Sequence, residues 1–461
     1  MAASTSSDSM PAGAATDAAY PRAAYAWYVV AVLTLLYVFS FLDRYTLALL
    51  VEPMRRDLQI SDTQMSLLMG FSFAIFYALF GLPLGRLADS RSRRTIIAVG
   101  CVAWSVTTAA CGLVKSYWQL LLLRMGVGIG EATLSPAAYS LITDYFPKER
   151  LATAMSVYSM AIHIGTGLAF IFGGAVIAFV ASDAVANLPL IGSIRPWQSV
   201  FLIVGLPGIA LALLMYTVKE PVRRALRASH PGSAVSAAPV PLSEVWRYFA
   251  QNKATLLCHS LGYTLSTLTS YTTWGPTLFI RKYGWTAAEA GIVYGLLTSV
   301  LGVVGILAGG RFADYLARRG YRDANMRLGL IATLAWFPTG ILFPLMPNGE
   351  WAVALFIPTY LVVSAPWGAS AAALQQVVPD GMRGQASALY LLALNLVGLG
   401  LGPTAVALVT DYVFHDDQAL NYSLLIVGTV SHLLAAVLLW KGLRHFRASL
   451  DRVQQWEAAH R

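Results

Sequence analysis

Charged residues are scarce in this chain of 461 residues. Asp, Glu, Lys and Arg make up 12% of it and hydrophobic residues 57%, whereas an ordinary soluble domain has about 25% charged residues. This composition argues against a soluble globular protein. The apolar residues occur in about a dozen runs of roughly 20 residues, the length needed to cross a bilayer core about 30 Å thick. We therefore expect one bundle of membrane-spanning helices.

Cysteine is also rare, and the three cysteines lie within or at the ends of apolar runs, so no disulfide framework or zinc spacing is present. The tripeptide Gly-Lys-Ser/Thr does not occur, which argues against ATP as the direct energy source. The basic residues lie in the loops, so the net charge of +9 does not predict a nucleic-acid partner. We expect no cofactor and no metal, with His163 and the run His415–Asp417 structural or solvated.

The apolar runs define twelve predicted segments, six on each side of a basic stretch rich in Pro, Ser and Ala. That stretch, 218–253, is interpreted as a cytoplasmic linker between six-helix bundles at 26–217 and 254–446. Residues 1–25 are expected to be a disordered cytoplasmic tail, and 447–461 a second cytoplasmic tail. In chain order the segments are 26–50, 65–84, 95–114, 118–141, 152–180, 198–217, 254–279, 288–309, 328–346, 351–377, 384–410 and 421–441.

The distribution of Lys and Arg among the loops predicts the orientation. If the N-terminus is cytoplasmic, that side carries 24 of the 32 basic residues and the other side carries 6. Both termini are therefore predicted to lie in the cytoplasm.

An internal repeat indicates that the two bundles are parallel copies. The stretch Gly85–Arg94 after segment 2 recurs as Gly310–Arg319 after segment 8, 225 residues later. A weaker match relates Pro147–Ala154 to Pro379–Ala386. Such repeats describe two bundles related by an axis along the membrane normal. The shared positions are Gly85, Asp89 and Arg93 in the first copy, and Gly310, Asp314 and Arg318 in the second.

The repeated Gly-x-x-x-Asp loop with its arginines resembles the signature of the major facilitator superfamily. Within that superfamily, Asp43–Thr46, Trp104–Ser105 and Arg124–Ala132 resemble the Spinster-type transporters. The loop departs from the usual signature at Ser90 and Ser92, where Arg and Gly are customary. The resemblance implies an all-α membrane protein of twelve helices, two six-helix bundles and transport by alternating access.

Four charged residues are placed deep in predicted helices, where an uncompensated charge is expensive. Arg124 and Glu131 are seven residues apart and share one face of segment 4, while Asp43 and Arg44 point about 100° apart. We expect Arg44 to face a cavity and Asp43 to point towards segment 4. The hypothesis is that Asp43 and Glu131 carry protons while Arg44 and Arg124 hold an anionic head. The alternative is a buried structural ion pair.

The second bundle has no matching charge, so its side of the cavity is expected to be neutral. Segment 7 carries aromatic and hydroxyl residues at helical spacing, which we interpret as a substrate-binding stripe. Ordinary helix packing is the alternative interpretation. The stripe consists of Tyr263, Thr267, Ser270, Tyr271 and Trp274.

The two repeated loops are interpreted as cytoplasmic gates. Gly85 and Gly310 allow close helix approach, and Asp89 and Asp314 can accept hydrogen bonds from a helix N-terminus in the opposite bundle. Anchoring of the loops by positive charge alone is the alternative. The glycines at 126, 128 and 130 are expected to serve helix packing rather than nucleotide binding.

Taken with the resemblance, these features predict a proton-coupled transporter of an amphiphilic anion, a lysophospholipid or related lysolipid. The Spinster-type relatives are associated with lysophospholipids and sphingosine-1-phosphate. The expected setting is a monomer among membrane lipids in the cytoplasmic membrane of a bacterium, driven by the proton gradient. A proton symporter for sugar acids is the alternative within the same fold, and a non-transporting lipid sensor is the alternative from another class. No nucleophile, base and orienting group converge, so an enzyme is not expected.

Overall fold

A computed structural model describes residues 20–180, 187–188, 192–221, 241–379 and 382–459. These residues are almost entirely helical, as predicted. The exception is one antiparallel pair of two-residue strands, β1 (Asn187–Leu188) and β2 (Gly192–Ser193). Residues 1–19 and 222–240, which hold most of the predicted N-terminal tail and linker, lie outside the described residues.

Nine α-helices lie in the described part of the first half of the molecule. They are α1 (Ala23–Tyr45), α2 (Val51–Leu58), α3 (Asp62–Ser66), α4 (Ser72–Ser90), α5 (Arg93–Cys111), α6 (Tyr117–Glu131), α7 (Leu134–Tyr145), α8 (Lys148–Val180) and α9 (Pro196–Leu214).

The second half contains ten α-helices within residues 241–379 and 382–459. They are α10 (Leu242–Gln251), α11 (Lys253–Ser266), α12 (Tyr271–Tyr283), α13 (Ala287–Arg318), α14 (Ala324–Leu342), α15 (Gly349–Ser364), α16 (Pro366–Gln376), α17 (Arg383–Ala393), α18 (Gly402–Val409) and α19 (Leu420–Ala459). Helix α10 thus lies within the stretch predicted as linker, and α19 continues through most of the predicted C-terminal tail.

Ten helical stretches of the described chain are long and apolar enough to cross a membrane. The other two predicted segments, 4 and 7, are each formed by two shorter helices in succession: α6 with α7, and α11 with α12. Ten long stretches and two interrupted ones are consistent with the twelve predicted crossings. The interruptions matter for function because irregular backbone at membrane depth is tolerated only inside the protein or beside a water-filled cavity.

The halves pack most extensively through α8 and α13. Their backbones approach closely because glycines face each other: a Cβ on Gly295 would lie 2.5 Å from the carbonyl oxygen of Gly167, and one on Gly167 would lie 2.6 Å from that of Gly295. Small residues at a helix crossing allow this approach.

The apolar core shows which end of the molecule is closed. The largest cluster of buried side chains includes Leu50 and Trp197 from the first half together with Trp274 and Phe356 from the second. Two other large clusters each stay within one half. We call the shared-core end, formed by residues 50–62, 281–289 and 411–417, the outer end. The opposite, inner end is the one that the charge count predicts to be cytoplasmic.

Candidate functional site

Arg44 and Glu131 form an ion pair in the first half. Arg44 lies near the end of α1, and its Nη2 donates to Oε2 of Glu131, the last residue of α6, at 2.5 Å. Ser40 donates its hydroxyl to the same carboxylate oxygen at 2.6 Å. The side chain of Glu131 has no exposed surface, while that of Arg44 is 12% exposed. Arg44 is therefore the member of the pair that a solute can reach.

Aromatic rings surround the Arg44 guanidinium. Its Cζ lies 4.1 Å from the ring centre of Phe73, 4.7 Å from that of Phe41 and 5.5 Å from that of Tyr77. Cation–π contacts of this length stabilise a desolvated cation and fix its position. The rings thus hold the guanidinium in place beside the carboxylate of Glu131.

Asp43 and Arg124 are as fully buried as Glu131. Asp43 accepts a hydrogen bond from the Thr108 hydroxyl of α5 at 3.2 Å, and it interacts electrostatically with Glu131 and Arg124 of segment 4. The Nε of Arg124 donates to the carbonyl oxygen of Leu68 at 3.4 Å, and Arg124 is 0% exposed. The structure therefore brings all four predicted intramembrane charges to one side of the molecule, and of the two arginines only Arg44 has exposed surface.

Several polar atoms of this charged cluster have no hydrogen-bond partner among the described residues: Oδ1 of Asp43, Oε1 of Glu131, and both Nη atoms of Arg124. Buried polar atoms are rarely left unsatisfied, and such atoms point to a functional requirement. The cluster holds two acids and two arginines, so it is electrically balanced when all four are ionised. A proton or an anion added alone would leave an uncompensated buried charge, which is strongly unfavourable.

The predicted stripe on segment 7 is not continuous, which corrects the sequence interpretation. Helix α11 ends at Ser266 and α12 begins at Tyr271, with Ser270 in the left-handed conformation at φ 52°. Helical spacing therefore does not carry across residues 267–270. The separation follows from the tertiary contacts of the two pieces, which the apolar pattern of segment 7 does not encode.

The two ends of the stripe have different surroundings. Tyr263 and Thr267 line a small cavity of about 30 Å³ between helices of the second half. Tyr271 donates its hydroxyl to the carbonyl oxygen of Gly340 at 2.9 Å. Trp274 donates its ring N–H to the carbonyl oxygen of Pro403 at 3.0 Å and is fully buried. In this conformation Tyr271 and Trp274 are part of the packing at the outer end.

The lining of this cavity is neutral and largely aromatic. Its walls include Trp336, Trp367, Tyr390 and the buried imidazole of His432, which stacks on Trp336 with ring centres 4.0 Å apart. No Asp, Glu, Lys or Arg is among the residues that line it. The first half thus presents charge and the second half presents apolar and weakly polar surface.

An ionic network that the sequence interpretation missed closes the outer end. Arg281 of α12 donates to Glu52 at 2.6 Å and to both oxygens of Asp62 at 2.6 and 2.8 Å. Arg55 donates to Asp417 at 2.8 and 3.0 Å. These pairs join the two halves. From the sequence, these residues were interpreted only as charges of the loops. The one local pattern that marked this region was the Ser61–Gln64 capping box, which begins α3 next to Asp62.

The repeated loops lie at the inner end. Arg93 is buried and binds Asp144, Ser140 and Glu220, all in the first half. Among the described residues, a Cβ added to Gly85 would have only Pro136 within 4 Å, and one added to Gly310 would have no neighbour within that distance. Asp314 and Arg318 are exposed, and the Asp89 side chain lies outside the described residues. The gating roles of these residues stay predictions.

Glu220 is the acidic centre of the inner-end network. Burial alone would raise the pKa of this carboxyl, but hydrogen bonds from the Arg94 backbone N–H, the Arg93 side chain and the Ser92 hydroxyl outweigh burial and hold the pKa below its ordinary value. Charge-assisted hydrogen bonds of this kind favour the ionised carboxylate. Glu220 therefore ties the end of α9 to the start of α5.

Two helical halves with a repeated loop, a shared core at one end and a charged cluster between helices describe a transporter fold. A profile of the Major Facilitator Superfamily matches residues 33–403. This chain belongs to the major facilitator superfamily. The superfamily resemblance seen in the sequence is thereby confirmed.

The relatives narrow the assignment within the major facilitator superfamily. An MFS-type efflux pump of Mycolicibacterium smegmatis is 29% identical over 434 residues, covering 92% of this chain and 94% of the relative. Protein spinster of Drosophila melanogaster is 26% identical over 398 residues, covering 84% of this chain and 62% of the relative. The chain is a Spinster-like integral membrane transporter and not an enzyme.

A solved structure resembles this fold over nearly the whole chain. The crystal structure of a bacterial homologue of the human lysosomal transporter Spinster, inward-facing and unoccupied, superposes with a TM-score of 0.74 at 27% identity. The match covers 94% of this chain and 99% of that one. The shared core and the ion pairs at the outer end are the contacts expected of an inward-facing transporter.

Proposed function

We propose that this major facilitator transporter moves an amphiphilic anion, a lysophospholipid or related lysolipid, and couples its movement to protons. The observation that carries the proposal is the asymmetry of the two halves. Four ionisable residues cluster in the first half, while the cavity in the second half has a neutral, aromatic lining. An anionic head and a single apolar chain match those two surfaces.

Arg44 is the residue proposed to bind the anionic head. Of the two arginines in the cluster, only Arg44 has exposed surface. Its planar guanidinium can donate two parallel hydrogen bonds to a phosphate or carboxylate. A monoanion bound to Arg44 must compete with Glu131, whose Oε2 accepts from the same guanidinium.

Charge balance supplies the reason for coupling. The cluster is neutral with two acids and two arginines ionised, so a bound monoanion leaves one excess negative charge in a buried site. Uptake of one proton by Glu131 or Asp43 restores neutrality. Each of these carboxylates has one oxygen without a donor among the described residues, which is where a proton would add.

The proposal is tested by flux in proteoliposomes with an imposed pH gradient. Labelled lysophospholipid is offered beside a labelled sugar acid, and lipid left in the outer leaflet is extracted with albumin before counting. The native protein is expected to show saturable, gradient-dependent lysolipid flux. Glu350→Gln, which removes an exposed carboxylate, is the matched control and should behave as the native protein does.

Two variants separate binding from coupling. Glu131→Gln should lose gradient-driven flux but retain exchange of labelled for unlabelled lysolipid, because its arginine is still present. Arg44→Gln should lose both. Gradient-driven flux that persists in Glu131→Gln would remove that residue from the coupling, and sugar-acid flux without lysolipid flux would favour the alternative substrate class instead.

A further inference from the structure

A second charged surface lies at the inner end of the second half, away from the Arg44 cluster. Helix α10, Asn252 with residues 253–258 of α11, and residues 440–456 of α19 pack together there, and we call this assembly the inner cap. Ser449 donates its hydroxyl to Oδ1 of Asn252 at 2.6 Å, and Trp456 donates its ring N–H to Glu244 at 3.2 Å. These contacts extend α19 beyond the bilayer as an ordered part of the transporter.

The acids around the inner cap whose side chains the structure describes are already engaged. Asp323 accepts from Arg327 at 3.0 Å and from Arg447 at 2.9 Å, and Asp451 accepts from Arg322 at 2.6 Å. Glu244 accepts from Trp456, as described above.

Five exposed cations of the cap have no carboxylate partner among the described residues: Arg247, Lys253, Lys441, Arg444 and Arg452. Three of them, Lys253, Lys441 and Arg444, leave a side chain free for a ligand near the contact of α11 with α19, whereas Arg452 donates to Gln251 and Asn252. Arg444 instead donates to the imidazole of His445 at 3.2 Å. The excess positive charge is concentrated where α11 and α19 meet.

The packing of α11 against α19 places these cations near one level. A Cβ on Gly442 would lie 2.9 Å from the Cβ of Cys258, which marks the level at which the helices touch. Lys441 and Arg444 flank that level and act electrostatically on the Cys258 thiol. Lys253 lies five residues, about 7.5 Å, towards the inner end.

Exposed apolar side chains continue from these cations towards the bilayer. Trp440 is 65% exposed and Leu257 is 56% exposed. Trp440 lies 20 residues beyond the start of α19, which is about 30 Å along the helix. Since α19 begins at the outer end and the hydrocarbon core is about 30 Å thick, Trp440 lies near the opposite boundary of that core. Tryptophan is enriched at that boundary between hydrocarbon and headgroups.

We propose that this surface binds an anionic phospholipid of the cytoplasmic leaflet. Its phosphate lies among Lys253, Lys441 and Arg444, and its chains lie along Leu257 and Trp440. Charge complementarity identifies this occupant, since basic pockets between helices on the cytoplasmic side suit anionic headgroups. A zwitterionic lipid carries a cation of its own and gains less from the same three groups. The site is separate from the proposed substrate path.

Native mass spectrometry of the purified full chain in a neutral detergent tests this site. Phosphatidylglycerol and phosphatidylcholine are added at equal concentrations and the retained adducts are compared. The native protein should retain phosphatidylglycerol preferentially. Lys253→Gln/Lys441→Gln/Arg444→Gln should weaken that retention about tenfold or more, since each surface cation contributes to anionic-lipid binding.

The matched control is Lys219→Gln/Arg311→Gln/Arg319→Gln, which removes three exposed cations elsewhere at the inner end. It should retain the preference for phosphatidylglycerol, and both triple variants are first checked for monodispersity and an unchanged melting temperature. Equal loss in the two variants, or no preference in the native protein, overturns the proposal. Displacement of the lipid by excess soluble glycerol phosphate also overturns it, because the site would then recognise a free anion.

Discussion

Arg281 and Asp62 form a two-point ion pair that joins the two halves of the transporter at its outer end. Both carboxylate oxygens of Asp62 accept from the Arg281 guanidinium, at 2.6 and 2.8 Å, and the side chains are 0% and 4% exposed. A buried bidentate pair has defined geometry, and removal of one partner leaves an uncompensated charge. The pair must break whenever the outer end opens.

Asp62→Asn should therefore favour opening of the outer end. The substitution removes the charge that pairs with both Arg281 and Arg55, while Arg281 keeps Glu52. We expect a cost on the order of 2 kcal/mol, enough to populate a state that the native protein rarely visits. The reporter is Thr277→Cys, in a chain whose three native cysteines are replaced by alanine. Thr277 is fully buried and donates to the carbonyl oxygen of Ala48 across the halves. Labelling by a membrane-impermeant maleimide should rise at least about tenfold.

The control for this experiment is Asp57→Asn, which removes the ion pairs of Asp57 with Arg56 and Arg195 within the first half. It should leave the labelling of Thr277→Cys unchanged. Equal labelling in Asp62→Asn and the control would show that the Arg281–Asp62 pair does not hold the outer end closed.

Arg44→Lys should impair transport although the charge is kept. A lysine ammonium lacks the planar fork that contacts Glu131 and the aromatic rings of Phe73 and Phe41. We expect at least about tenfold lower lysolipid flux at saturating gradient, with the melting temperature within a few degrees of the native value. Native-like flux would indicate that Arg44 supplies charge alone.

Gly295→Ala should prevent close packing of α8 against α13. Its Cβ would lie 2.5 Å from the carbonyl oxygen of Gly167, a backbone atom that cannot rotate away. Overpacking of this kind costs typically 1–3 kcal/mol, so about 2 kcal/mol is expected here, seen as a lower melting temperature. Gly384→Ala, where the added Cβ meets no neighbour within 4 Å, should leave the melting temperature nearly unchanged. An equal effect of the two substitutions would contradict this interpretation of the glycine contact.

Acid should weaken the inner-end network through Glu220. Its pKa in the folded protein is depressed by hydrogen bonds from Arg94, Arg93 and Ser92, despite partial burial. The resulting stability is fully present above the ordinary pKa of a glutamate, about 4.3, and is lost as pH falls through the lower folded value. The melting temperature of the native protein should therefore fall more steeply below about pH 4.5 than that of Glu220→Gln. Parallel curves for the two proteins would exclude this contribution.

Hydropathy and charge placement were sufficient to predict much of the fold. A span about 20 residues long must be apolar to lie in lipid, and ten described stretches satisfy that condition by length and composition. The repeat of Gly85–Arg94 at Gly310–Arg319 indicated two parallel halves because duplicated bundles keep their loop signatures. The interrupted segments 4 and 7 were not foreseen, since an apolar run has the same hydropathy whether it is one helix or two.

The residues of the candidate site could be predicted from the sequence, but their arrangement could not. Asp43, Arg44, Arg124 and Glu131 could be selected because charge is costly in a bilayer, and the structure does bring them to one side. Which arginine is exposed could not be deduced from spacing, because exposure depends on how α4 and α5 pack around α1 and α6.

The sequence by itself determined that this chain is a helical membrane protein in two related halves, because composition and periodicity decide what can lie in lipid. Only the tertiary structure decided that Arg281 and Asp62 meet, that segment 7 breaks at Ser270, and that the outer end is the closed one. The Arg281–Asp62 pair and the shared core depend on contacts between the two halves, and Arg281 and Asp62 are 219 positions apart. Local pattern carries no information about such contacts, since they arise only when the two halves dock.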